Sequence, residues 1–71
     1  MLRDLQRYLT SGQLVEIIYL NQQGQISQRK LRLYSIDGDQ LKAYCLTRSS
    51  IRSFSIKNIL ALASVKIGRA G

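Results

Sequence analysis

Apolar residues fall along this chain in two rhythms. At the start, "MLRDLQRYL" places Leu2, Leu5 and Leu9 three and four positions apart, with Tyr8 beside them. That is one face of an amphipathic helix, and Arg3, Asp4, Gln6 and Arg7 fill the other. The spacing predicts a helix over residues 2–10, closed by "TSG" with Gly12 as a left-handed cap. About ten residues are too few to stay helical alone in water, so the helix must pack on something.

From Gln13 on the period changes to two. "QLVEIIYL" (13–20) alternates Val15, Ile17 and Tyr19 against Glu16, Ile18 and Leu20. The first set is assigned to the core. Ile18 and Leu20 are an apolar surplus that would meet the helix or a partner. "NQQGQ" (21–25) reads as a hairpin turn with Gly24 at positive φ. "ISQRKLRLYSI" (26–36) is a second strand long enough to require a bend or bulge, expected near Arg29 to Leu31. "DGD" (37–39) is the second turn, "QLKAYCLTR" (40–48) the third strand, and "SS" (49 and 50) the third turn. "IRSFSI" (51–56) is the fourth strand, "KNIL" (57–60) a 3₁₀ turn, "ALASVKI" (61–67) the fifth strand, and 68–71 a frayed tail.

One helix followed by short antiparallel strands predicts a mostly β domain. Five strands in so few residues expose two apolar edges unless the sheet closes. The expected architecture is therefore a single domain over 1–71: a small five-stranded SH3-like or Sm-like barrel over 13–67 with an N-terminal α-helix. Seventy-one residues allow one core, and it is a marginal one.

Composition narrows the chemistry. There is no histidine and one cysteine, Cys45, so no intrachain disulfide and no ordinary zinc site are expected. Cys45 reads as a small core residue. With no general base poised near neutral pH, no acid pair and no glycine-rich phosphate loop, an enzyme is not expected, nor is a cofactor. The apolar runs are too short to span a membrane, and a cytoplasmic protein is expected. Eleven Lys and Arg against four Asp and Glu give a net charge of +7, which points to a polyanionic partner or merely to solubility.

The charge that matters most is in "AYCLTRSSIRSF" (43–54). Arg48 and Arg52 flank the turn after the third strand, where guanidinium forks, Ser53 and turn N–H groups can collect on phosphate oxygens. Tyr44 can stack on a base, and Arg29 joins them if the bend brings it round. The candidate ligand-binding set is therefore Arg29, Tyr44, Arg48, Arg52 and Ser53. Each also has a plainer reading: solvated charges for the arginines, and packing on the helix for Tyr44. "QRKLR" (28–32) carries outward basic residues that either follow a phosphate backbone or blunt a strand edge.

"LKAYCLTRSSIRSFSIKNI" (41–59) resembles the second half of the bacterial WYL domain, through Ala43, Tyr44, Cys45, Arg48, Ile51, Arg52, Ser53, Phe54 and Ile59. "LVEIIY" (14–19) is similar to that family's first strand. The naming Trp-Tyr-Leu triplet would fall at Asp39-Gln40-Leu41, where only the leucine is present, and Asn58 replaces a basic residue. The resemblance implies a stand-alone, single-barrel member of a group that senses nucleic-acid or nucleotide ligands in bacterial transcription regulation. The competing expectation is a protein-interaction or homo-oligomerisation module, using Ile18, Leu20 and Leu46.

Overall fold

The computed structural model of the protein describes residues 2–65. The helix α1 spans Leu2–Ser11 and is followed by β1 (Leu14–Leu20), β2 (Ile26–Asp37), β3 (Gln40–Cys45) and β4 (Ser50–Ser55). A 3₁₀ turn over Ile56–Asn58 leads to β5 (Ile59–Ser64). All neighbouring strands pair antiparallel, in the order β4-β3-β2-β1-β5. The mostly β class and the N-terminal helix are as the pattern predicts. Residues 66 and 67 of the expected fifth strand, and the tail at 68–71, lie outside the described residues.

The barrel does not close. β4 and β5 are consecutive in sequence yet stand at opposite edges of the sheet, each with one side unpaired among the described residues. The sheet instead coils until β1, next to one edge, touches the opposite edge strand β4 by side chain. The Tyr19 ring of β1 meets Phe54 of β4 edge-to-face, with centroids 5.0 Å apart. The Tyr19 hydroxyl also accepts a hydrogen bond of 3.0 Å from the Ser55 N–H. The 3₁₀ turn bridges what the strands leave open.

The inner face holds the core. Val15, Ile17, Leu31, Leu41, Ala43 and Cys45 are fully buried there, and Leu33, Phe54 and Ile59 nearly so. Leu5 enters the same cluster from α1, with Tyr8 and Leu9 packed around it. Each fully buried large aliphatic side chain contributes roughly 1.5–3 kcal/mol, which is why a lone short helix holds. α1 therefore covers core residues. Ile18 and Leu20 are not part of that cluster.

The turns follow their chemistry. Gly12, at φ 74°, ends α1 and donates to the Tyr8 carbonyl. In the first hairpin the Asn21 side chain accepts from the N–H groups of Gln23 and Gln25, while Gly24 takes φ 80°. The third strand is shorter than expected, ending at Cys45, so the third turn covers residues 46–49 and includes Arg48. Ser49 closes it at φ 53°, an unusual backbone for a residue with a Cβ.

The long second strand is irregular, but later than expected. The β2–β3 register slips between Leu33 and Ser35, not near Arg29 to Leu31. One extra residue there turns Tyr34 outward after buried Leu33, and Ser35 pairs with outward Lys42. Alternation resumes with Ile36 opposite Leu41.

Candidate nucleic-acid interface

Residues directly opposite one another in antiparallel strands share a face, so the register sorts every polar side chain. On the outer face one row runs Leu14, Arg32, Tyr44, Ile51 across β1 to β4. The next row toward the second hairpin pairs Ser35 with Lys42 and Lys42 with Ser53. On the other side of the Arg32 row, Lys30 faces Glu16. The bulged Tyr34 stands beside them, 63% exposed, and Tyr44 is 41% exposed.

Three cations and two open tyrosine rings thus share the outer surface of β2 and β3. None is consumed by an acid: among the described residues the single ion pair is Arg7 with Asp4, 3.3 Å apart on α1. Glu16 lies opposite Lys30 without reaching ion-pair distance. Such a surface keeps a positive potential. Its charges match phosphate oxygens, and its rings match the flat faces of bases, each stack being worth about 1–3 kcal/mol.

The inner face tells a different story at its rim. Arg29 sits opposite Ile17, one position beyond buried Leu31 in the alternation, and is half-buried. Its Nε donates to Ser27 Oγ at 3.1 Å. Cys45, opposite Leu31, is fully buried. Burial pushes its thiol up, but the N–H groups of Arg48 and Thr47 bond to the sulfur and the Arg29 guanidinium lies beside it. Together these win, and the thiol is held below its ordinary value.

The five residues predicted from sequence do not share one surface. Tyr44 and Ser53 are on the outer face. Arg52 pairs with Ala43 and so belongs to the inner side of β4, where it is exposed. Arg29 is at the inner rim beside Cys45. Arg48 lies exposed in the turn joining β3 and β4, its backbone N–H turned to the sulfur. Among the described residues neither Arg48 nor Arg52 is paired with a carboxylate.

Arg32, Lys42 and Tyr34 complete the outer surface; Arg32 belongs to the basic segment 28–32 read as a phosphate path or an edge guard, while Lys42 and Tyr34 were not among the predicted residues. A signal for two of them was present. Leu31 and Leu33 point inward, which sends Arg32 outward, and Leu41 with Ala43 does the same for Lys42. Among the described residues there is no group of three His, Cys, Asp or Glu placed to hold a metal ion. No helix there is long and apolar enough to cross a membrane.

No protein-family description matches this chain, and no curated protein does. Among solved structures it is similar in fold to Proteasome accessory factor B/C (PafBC) of Arthrobacter aurescens, with a TM-score of 0.73 and 24% sequence identity. The likeness covers 97% of this chain and 11% of the PafBC chain, so it is a shared fold over a small part of a much larger protein.

Proposed function

We propose that this domain is a WYL-like regulatory module, not an enzyme, that binds a nucleic acid or nucleotide through its basic outer face and serves bacterial transcription regulation. The observation that carries the reading is the row of Arg32 and Tyr44, with Lys42 and Tyr34 beside it, exposed and without acidic partners among the described residues. The resemblance of residues 41–59 to the WYL family and the fold shared with PafBC support the regulatory half of it.

In this reading Arg32 and Lys42 hold phosphates, Tyr44 and Tyr34 stack on bases, and Ser53 adds a neutral donor. Arg48 and Arg52 extend the positive field from the β3–β4 end. Arg29 chiefly positions the turn through Cys45. Because the rings offer open faces, single strands are favoured over duplexes, whose bases are already stacked.

The test is fluorescence anisotropy with a labelled single-stranded DNA, its RNA counterpart and a duplex. Tyr44→Ala and Lys42→Ala are each expected to weaken binding of the single strand. Arg48→Ala and Arg52→Ala are expected to weaken it less. Wild-type affinity in both Tyr44→Ala and Lys42→Ala would remove the interface, whatever the other variants do.

One observation favours a second reading, self-association. Among the described residues β4 and β5 each leave a free edge, and exposed Ile51 and Leu60 stand on those two strands. Such edges invite pairing with another chain. Sedimentation at micromolar concentration tests this, and a monomer throughout discards it.

A further inference from the structure

A cleft of about 760 Å³ opens where the α1–β1 connection, β2, the end of β3 and the segment after β5 meet. Leu14, Leu46 and Val65 supply apolar walls, and Tyr44 lies along one side. Among the described residues Arg32 is the one charged group in its lining. The volume lies within the roughly 300–1,000 Å³ of small-molecule sites, and the pattern is theirs too: mostly apolar, with few polar groups to fix orientation.

The lining dictates what fits. Apolar walls reward an apolar or aromatic body leaving water. The guanidinium of Arg32 favours an anion, since no acid among the described lining residues neutralises it. A planar carboxylate matches one guanidinium fork with two parallel hydrogen bonds. We propose that the cleft binds a small monocarboxylate with an apolar or aromatic body. The carboxylate sits on Arg32, the body lies against Leu14, Leu46 and Val65, and Tyr44 flanks it.

This inference is separate from the oligonucleotide reading, although the two surfaces meet at Arg32 and Tyr44. Leu46 belongs to the cleft alone, and Lys42 to the basic face alone. Both are exposed, so changing them leaves the core intact.

Calorimetric titration of the full chain with 4-phenylbutyrate, its neutral amide and acetate tests it. The acid is expected to bind detectably at about 1 mM, the scale of a weak small-molecule contact. The amide is expected to bind about tenfold more weakly, from loss of a charged hydrogen-bonded pair, and acetate not measurably. Arg32→Gln should reproduce the loss seen with the amide. Leu46→Gln should weaken the acid without changing oligonucleotide affinity, and Lys42→Ala should leave the acid unchanged. Equal binding of acid and amide, no binding of the acid, or an unaltered Leu46→Gln would each overturn the assignment.

Discussion

Tyr19 bears on whether the coiled sheet is held shut by side chains, because its hydroxyl and ring join β1 to β4 where no backbone ladder does. Tyr19→Phe removes one acceptor and leaves the Ser55 N–H without its 3.0 Å partner. A hydrogen bond of this kind contributes about 0.5–1.5 kcal/mol net. The edge-to-face contact with Phe54 adds about 0.5–1.5 kcal/mol beyond its buried area. A chain of 71 residues has a total stability of roughly 4–11 kcal/mol, so the pair is a sizeable share. Urea unfolding should therefore show Tyr19→Phe less stable by about 1 kcal/mol, and its Tm lower by about 4–8 °C. A double-mutant cycle of Tyr19→Leu and Phe54→Leu should return a coupling of similar size. Phe54→Ala, in a nearly sealed position, should cost about 3–5 kcal/mol and come close to unfolding the domain. If Tyr19→Phe shifts stability by less than about 0.3 kcal/mol and the cycle shows no coupling, the sheet is not closed by this contact.

Further outcomes are expected. Ser49→Gly should stabilise the fold by about 0.5–1 kcal/mol in urea titrations, since φ 53° burdens any residue with a Cβ; a loss would contradict the turn geometry. The Cys45 thiol is lowered on folding, so its contribution is fully present above the unfolded thiol's pKa and is lost as pH falls through the lower folded value. Stability of the native chain should thus rise with pH across that alkaline window relative to Cys45→Ala, and parallel pH profiles would refute the sulfur's placement. The logarithm of single-strand affinity should fall with the logarithm of salt concentration, and Lys42→Ala should flatten that slope by about 0.7 if its ammonium meets a phosphate. An unchanged slope would move Lys42 off the backbone path.

Much of the architecture is written in the alternation. Val15, Ile17, Leu41, Ala43 and Cys45 are inward because period two leaves them no other side, and Gly24 and Gly38 mark their turns by chemistry alone. Closure was not legible, because whether β4 pairs with β5 depends on accumulated coiling, a property of the whole sheet. The site was half legible. Phe54 is inward, so Arg52 two residues earlier is inward as well, and this separates it from Tyr44. The alignment of Arg32 with Tyr44 depends on the bulge at Tyr34, which slips the register counted back from the Gly38 turn. Nothing in the residue types around Tyr34 announces that extra residue.

The strand order also sets a sequence of assembly. β1 to β4 form a meander in which each strand joins the one made just before it, across short turns. β5 alone must return from the far end of the chain to lie along β1, with Ser64 opposite Val15. Ordering that span costs more entropy than closing any hairpin, so the meander is expected to form first and β5 to close last. Amides of β5 should be the first of the sheet to exchange with deuterated solvent, and a chain severed after the 3₁₀ turn should keep a collapsed meander with the β1 edge exposed.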